Sequence, residues 1–268
     1  MRVLASLALL VVAAAGASAQ SPSSSRAPDL ATARVVDLTH AFDDRTVYWP
    51  VPPSAFELKQ LHHGRTAGGF FYSANAFCTP EHGGTHLDAP IHFFEGRRTV
   101  AEIPVEQLVG PAVVVDVSAK AEADPDFQLA RADLDAWEKR NGTIPKGALV
   151  LLRTRWSARW PDRKRYLGDD TPGDASRLHF PSYGRDAAQW LVQTRQVGVL
   201  GVDTASIDTG ASKDFLVHQI AAAANVPGME NLTNLDQLPE RGAWVIALPM
   251  KIAGGSGGPL RAIALLPR

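Results

Sequence analysis

The chain has 268 residues, and hydrophobic residues make up 45% of it, which is enough to build a sizeable core. Its 27 Lys and Arg residues nearly balance its 28 Asp and Glu residues, and a net charge of −1 without a basic block excludes nucleic acid as an expected partner. The single cysteine, Cys78, excludes an intramolecular disulfide, so the fold must rest on its core.

The amino-terminal segment predicts export. Residues 1–19 (MRVLASLALLVVAAAGASA) combine a basic start, an apolar run and an Ala-Ser-Ala end, which is typical of a secretory signal peptide. A membrane anchor is the alternative, but the apolar run is too short to cross a bilayer comfortably. Residues 20–33 are predicted to be a flexible linker, and residues 34–268 a single domain. The sequence thus predicts a secreted or periplasmic protein with no membrane contact after cleavage.

Apolar, β-branched runs dominate the rest of the chain and predict strands. They cover 34–39, 69–77, 112–118, 148–154, 197–203, 244–249 and 262–266. Helices are predicted at 131–142, which ends on Gly142, at 184–196, and at 213–224, with Ser212 as the expected N-cap. Because strands and helices do not alternate strictly, this order favours an α/β domain with a mostly β core over a doubly wound sheet.

The stretch EHGGTHLDAPIHFFEG (81–96) concentrates side chains that bind metals. Within eleven residues it holds His82, His86, Asp88 and His92, although the whole chain has eight histidines. Extended backbone would spread these residues over about 33 Å, at ~3.3 Å per residue, so the segment must bend to reach one ion. The pair Gly83-Gly84 and Pro90 are expected to supply the bends.

The pattern favours a catalytic metal site. Two imidazoles and a carboxylate, from His82, His86 and Asp88, suit Zn²⁺, Mn²⁺ or Fe²⁺ with positions left open for water and substrate. His92 lies just beyond this set, where an imidazole could move a proton. A merely structural cluster is the alternative. A closed structural zinc site is disfavoured because cysteine ligands are absent.

HGGTHLDAPIHF resembles the H-x-G-T-H-x-D-x-P-x-H signature of the metal-dependent cyclase family of hydrolases. VVDLTHAFDDRTVYWP (35–50), residues 201–235 and ALPMKIAGGSGGPLRAIALL (247–266) extend the resemblance over nearly all of the predicted domain. The resemblance implies a swivelling β/β/α fold with flanking helices, assembled as a homodimer or homotetramer. It also implies metal ligation by His82, His86 and Asp88, with His92 as the catalytic acid/base.

The family includes isatin hydrolases and bacterial kynurenine formamidases, and these imply different metal contents. The first implies a single Mn²⁺. The second implies two Zn²⁺ ions, the second held by Asp88 with His218 and Glu230. Two other placements remain open from the residues alone: His218 at the polar edge of a helix, and Glu230 as a solvated loop carboxylate. The expected cofactor is one divalent ion, Mn²⁺ or Zn²⁺, with a second in the formamidase case.

Both branches cleave a C–N amide bond beside an aromatic ring. Segments such as DTASID and SKDFLVHQ look closer to the isatin branch, so the predicted reaction is the opening of isatin to isatinate. An arylformamidase acting on N-formylkynurenine is the first alternative, and a non-catalytic periplasmic metal- or ligand-binding protein is the second. The candidates for an aromatic substrate wall are Trp49, Phe70, Phe71, Tyr72, Phe93 and Phe94, with Trp49 foremost.

GGSGGP (254–259) lacks the Lys-Ser/Thr end of a phosphate-binding loop. It is predicted to be a turn-forming loop near the site.

Overall fold

The computed structural model describes residues 28–51 and 55–267. The predicted signal peptide and the first part of the predicted linker lie outside the described residues. At the end of the linker, residues 29–33 form a turn in which the Asp29 carbonyl accepts the N–H groups of Thr32 and Ala33, at 3.1 and 2.8 Å. Within the described residues, no helix has the length and apolar character to cross a membrane.

The described residues form twelve strands. They are β1 (Arg34–Asp37), β2 (Glu57–Arg65), β3 (Phe71–Cys78), β4 (His86–Asp88), β5 (Val109–Asp116), β6 (Gln128–Leu129), β7 (Leu149–Arg153), β8 (Ser182–Tyr183), β9 (Val199–Val202), β10 (Gly228–Glu230), β11 (Trp244–Pro249) and β12 (Gly257–Leu266). The α-helices are α1 (Ser118–Ala123), α2 (Arg131–Asn141), α3 (Arg163–Leu167), α4 (Arg185–Trp190) and α5 (Leu216–Ala223). A π-helical turn, Leu191–Arg195, continues α4.

Seven strands close into a barrel-like sheet. Their order is β12, β11, β5, β7, β9, β10, β4, and β4 pairs back onto β12, while β1 adds to the outer side of β12. Strands β5, β7, β9 and β10 run parallel, and the remaining pairs in the ring are antiparallel. The predicted class, α/β with a mostly β core and flanking helices, is confirmed. Strands β2 and β3 form a separate two-stranded hairpin.

The parallel strands are buried on both faces, which explains their uninterrupted apolar sequences. On β5, Val114 packs inside the barrel with Leu151 and Met229. Its neighbours Val113 and Val115 belong to a second core between the sheet and the helices. That core also includes Trp137 of α2, Leu191 of the π-helical turn after α4, and Val217 of α5. The position of α5 on this outer face is what carries His218 to the sheet.

The seven predicted strands are present as β1, β3, β5, β7, β9, β11 and β12. Strands β2, β4 and β10 and the two-residue strands β6 and β8 were not predicted. Strand β4 has three residues and is held by neighbours from distant parts of the chain, β10 and β12. Strand β2 (ELKQLHHGR) is too polar to show an apolar run. The sequences of these strands are too short or too polar to show the alternating apolar pattern by which a strand is recognised.

Two of the three predicted helices need correction. The first is confirmed as α2, followed by Gly142 at φ 80°. The second holds its α-helical form only as far as Trp190. The third begins at Leu216, and Ser212 is not its N-cap: Phe215 occupies that position at φ 51°. Asp208, outside the helix, accepts the first free N–H groups, those of Val217 and His218, both at 3.0 Å.

Candidate active site

The bends predicted in the histidine-rich segment are present. Gly83 and Gly84 have φ angles of 148° and 58°, and a Cβ at either would overlap the ring of Tyr48 or Phe42. Only glycine fits both the space and the conformation. The turn folds His82 back toward β4, and Pro90 opens the 3₁₀ turn Pro90–His92.

Strand β4 places His86 and Asp88 on one face, because side chains two apart on a strand point the same way. Asp88 Oδ1 lies 2.6 Å from His82 Nδ1 and 3.1 Å from His86 Nε2. The three residues predicted as metal ligands therefore converge on one point.

Two residues from distant parts of the chain complete the cluster. In the antiparallel register of β10 and β4, Glu230 is directly opposite His86. Helix α5 brings His218 Nε2 to 3.0 Å from Asp88 Oδ2 and 3.1 Å from Glu230 Oε1. The alternative placements, His218 on a polar helix edge and Glu230 in a solvated loop, are wrong: their exposed fractions are 6% and 4%.

The cluster offers two donor sets that share Asp88. One is His82, His86 and Asp88, and the other is Asp88, His218 and Glu230. Within each set, the potential ligand atoms lie within 4.8 Å of one another. Imidazole and carboxylate donors of this number and spacing fit a divalent ion such as Zn²⁺ or Mn²⁺.

Each histidine of the cluster has its outer nitrogen occupied, which aims the inner nitrogen at the centre. His86 Nδ1 bonds the Gly84 carbonyl at 2.9 Å, and His218 Nδ1 bonds Asp208 Oδ2 at 2.7 Å. His82 Nε2 lies 2.8 Å from Ser256 Oγ. Such outer contacts fix the tautomer and ring orientation of metal-binding histidines.

The carboxylates make the cluster a cation site. Burial disfavours a charged imidazole at His86, but Asp88 and Glu230 outweigh it and raise the pKa of His86 to about 9. Burial would likewise raise the pKa of Asp88, yet the surrounding imidazoles hold it well below its ordinary value. Asp88 therefore stays an anion. A divalent ion would have to displace protons from these histidines, so its affinity should fall as the pH falls.

A cavity of about 460 Å³ opens onto the cluster. Its walls include Trp49 and Phe93, the two aromatic residues assigned a substrate-binding role from the sequence. The other four candidates do not line this cavity; Phe70, Phe71 and Tyr72 lie at or on the exposed hairpin, and Phe94 points to solvent.

Phe215 completes the aromatic wall and was missed by the sequence analysis. Its ring centroid lies 5.9 Å from that of Trp49 and 5.4 Å from that of Phe93. A bulky residue at φ 51° is strained, and such strain often marks a functional position. The only sequence signal was its place three residues before His218.

His92 lies at the edge of the same cavity and stacks on His82, with ring centroids 3.7 Å apart. It belongs to neither donor set. Crowding removes water from part of its ring, which lowers the pKa of His92 below 6.5. The neutral imidazole can accept a proton, and the open side of the ring faces the cavity.

The motif and its geometry agree with one protein family. The sequence model of the Cyclase family matches residues 36–209. The chain belongs to the Cyclase family. This confirms the resemblance drawn from HGGTHLDAPIHF and its companion segments.

The chain is similar to two kinds of named hydrolase in this family. Isatin hydrolase of Roseibium aggregatum is 34% identical over 248 residues, which cover 87% of this chain and 92% of that protein. The structure of isatin hydrolase A from Ralstonia solanacearum matches with a TM-score of 0.80 at 38% identity, covering 87% of this chain and 92% of that one. Kynurenine formamidase of Paracidovorax citrulli is 29% identical over 73% of this chain and 81% of its own. The prediction of an amide-hydrolysing enzyme is confirmed.

Proposed function

We propose that the protein is a metal-dependent hydrolase that opens the lactam ring of isatin to give isatinate. The observation that carries this proposal is the cavity: aromatic side chains form its wall, and a buried His/Asp/Glu cluster forms its floor. The similarity to isatin hydrolases over most of the chain supports the same substrate.

His82, His86 and Asp88 are the proposed ligands of the divalent ion. When bound, such an ion polarises a substrate carbonyl and lowers the pKa of water. The chain's own contribution is to hold the two histidines in place before the ion arrives, through the contacts of Gly84 with His86 Nδ1 and of Ser256 with His82 Nε2.

His92 is the proposed acid and base. Its neutral imidazole takes a proton from the attacking water as the new C–O bond forms. The same ring then returns that proton to the lactam nitrogen as the C–N bond breaks. One water is consumed: its oxygen joins the lactam carbonyl carbon, one of its protons reaches the ring nitrogen, which becomes an aniline NH2, and the other is released to solvent as the new carboxyl group ionises to a carboxylate.

Trp49, Phe93 and Phe215 are the proposed contacts for the aromatic ring of the substrate. Their rings line one side of the cavity. Phe93 also packs against His218, with ring centroids 4.3 Å apart. A flat apolar wall next to polar donors suits a small bicyclic aromatic amide.

Hydrolysis of N-formylkynurenine is the second candidate function. It is supported by the second donor set, Asp88 with His218 and Glu230, and by the similarity to kynurenine formamidase. In that case Asp88, His218 and Glu230 would hold a second ion, and Asp88 would belong to both donor sets.

A side-by-side hydrolysis assay tests the two candidates. The protein is stripped with a chelator, reloaded with Mn²⁺ or Zn²⁺, and offered isatin and N-formylkynurenine while absorbance is followed. We expect metal-dependent opening of isatin, with kcat/KM at least about tenfold above that for N-formylkynurenine. A reversed preference would favour the formamidase. Failure to turn over either compound with either ion would contradict both.

We also propose that a second copy of this chain covers the β2–β3 hairpin. Leu58, Leu61, Phe71 and Phe77 on this hairpin are 54–63% exposed, and a lone two-stranded sheet is marginal in water. The hairpin carries apolar side chains on both strands and pairs with no other strand of the described chain. Leu58 and Phe77 are direct cross-strand partners, and exposed apolar side chains grouped on one element in this way favour an interface.

If the hairpin forms the interface, the protein should be a dimer or tetramer, and substitutions on the hairpin should dissociate it. Sedimentation of the parent should show an oligomer, and Leu58→Ser with Phe71→Ser should shift it to the monomer mass. Val35→Ser is the matched control, because Val35 on β1 is equally exposed, at 58%, but lies outside the hairpin. A monomeric parent, or an oligomer indifferent to the hairpin change, would contradict this interface.

A further inference from the structure

The glycine-rich loop 254–258 is in contact with the metal-binding motif. Ser256 Oγ lies 2.8 Å from His82 Nε2 and 2.6 Å from Glu81 Oε2. The Ser256 backbone N–H donates to the same Glu81 oxygen at 2.9 Å. The three side chains therefore form a chain of hydrogen bonds that starts at Glu81 and ends on the ring that faces Asp88.

The direction of these hydrogen bonds follows from the groups themselves. A carboxylate only accepts, so Ser256 must donate its hydroxyl proton to Glu81. The Ser256 oxygen is then an acceptor, and His82 Nε2 must carry the hydrogen that it accepts. Asp88 is also a carboxylate, so without an ion His82 Nδ1 carries a hydrogen toward Asp88 Oδ1, 2.6 Å away. A bound ion would take the place of this hydrogen and not of the one on Nε2, which Ser256 holds.

The glycines leave the room that this arrangement needs. A Cβ on Gly257 would come within 2.6 Å of His82 Cε1, and a Cβ on Gly255 within 2.7 Å of Glu81 Oε1. The Ser256 carbonyl also accepts the N–H of Ala89, at 2.8 Å, directly after Asp88. The loop is thus fitted to the motif on both sides, which accounts for a glycine-rich stretch that no phosphate-binding motif explains.

We propose that Glu81 and Ser256 are positioning residues that hold His82 in the Nε2–H tautomer and aim its Nδ1 at the metal. The inference rests on the proposed metal site, and it extends that site to two residues that do not touch the ion. Their effect is on the affinity for the ion, since contacts of this kind typically change metal affinity by about 10- to 100-fold.

Ser256→Ala removes the acceptor for His82 Nε2–H. We expect the affinity for Zn²⁺ or Mn²⁺, measured by competition with a chromophoric chelator, to fall by about 10- to 100-fold. At saturating metal, the kcat of Ser256→Ala should be close to that of the parent. Ser256→Thr keeps the hydroxyl and should stay nearer the parent.

Glu81→Ala removes the acceptor of both the Ser256 hydroxyl and the Ser256 backbone N–H. The hydroxyl can then donate to His82 Nε2 instead and favour the Nδ1–H tautomer, with a hydrogen where the ion should sit. We expect a loss of metal affinity at least equal to that of Ser256→Ala. The double variant should bind the ion as tightly as the weaker-binding single variant, because both substitutions act through the ring of His82. Glu106→Ala, at an exposed glutamate elsewhere, is the matched control.

The ¹⁵N chemical shifts of His82 report its tautomer directly, with or without turnover. The parent should show a protonated Nε2, and Glu81→Ala should shift the tautomer balance, with melting temperature measured alongside to exclude unfolding. Unchanged metal affinity and unchanged His82 shifts in both variants would overturn the proposal. If the parent does not open isatin but the variants show the expected tautomer and affinity changes, only the proposed substrate is contradicted.

Discussion

Asp88→Asn is expected to abolish hydrolysis and to empty the metal site. Asp88 is the residue that the two donor sets share: Oδ1 faces His82 and His86, and Oδ2 faces His218. An asparagine keeps the shape but loses the negative charge and replaces one acceptor oxygen with an N–H donor. We expect kcat/KM to fall by at least about 1000-fold, equivalent to about 4 kcal/mol of transition-state stabilisation.

Metal content and activity should fall together in this variant. Elemental analysis after dialysis should find far less Mn²⁺ or Zn²⁺ than in the parent, and added metal should not restore the parent rate. Asp135→Asn, an exposed carboxylate on α2, serves as the control for a simple change of charge. Full activity in a metal-free Asp88→Asn protein would rule out the proposed mechanism.

The same substitution should change the pH dependence of stability in the metal-free protein. The folded-state pKa of Asp88 is depressed, so this carboxylate stabilises the fold above its unfolded pKa, and that contribution is lost as the pH falls. Asp88→Asn lacks this contribution at every pH. Its melting temperature should therefore lie below that of the parent at neutral pH, and the two should approach each other in acid.

The sequence predicted the part of the site that is local. His82, His86, Asp88 and His92 lie within eleven residues, so two glycines and a proline suffice to bring them together. His218 and Glu230 joined them only through the family resemblance. Their approach depends on the register of β10 against β4 and on the packing of α5, and neither has a local signal.

Residues that orient the ligands were the hardest to predict. Asp208 reaches His218 from ten positions away, and Ser256 reaches His82 from 174. Aspartate and serine in loops usually have local roles in turns, so their types carry no sign of this one. Ser256 was recognised only as part of a glycine-rich turn near the site, which is where the structure places it.

The fold shows the same division between local and long-range information. Apolar strands such as β5, β7 and β9 were predicted because burial on both faces requires an uninterrupted apolar run. Strand β4 was not, although it closes the barrel and carries two of the proposed ligands. Its three residues are strand only because β10 and β12 supply hydrogen-bonding partners on both sides.

His92→Ala is expected to separate proton transfer from metal binding. His92 belongs to neither donor set, so the variant should retain the metal content of the parent. Without an acid and base beside the scissile bond, kcat should fall by about 100- to 10,000-fold, the usual contribution of such a group. Elemental analysis and single-turnover kinetics on the same preparation measure both quantities.

The lowered pKa of His92 sets the expected pH behaviour. Burial lowers the pKa of His92 to about 4, and the imidazole acts as a base only when neutral, so parent activity should fall as the pH drops toward that value. The His92→Ala variant should lose that limb of the profile. Because one side of the ring is open to the cavity, added imidazole should restore part of the rate. His63→Ala, on the exposed hairpin, should match the parent in rate and metal content. Loss of metal from His92→Ala would make His92 a ligand and would require another base.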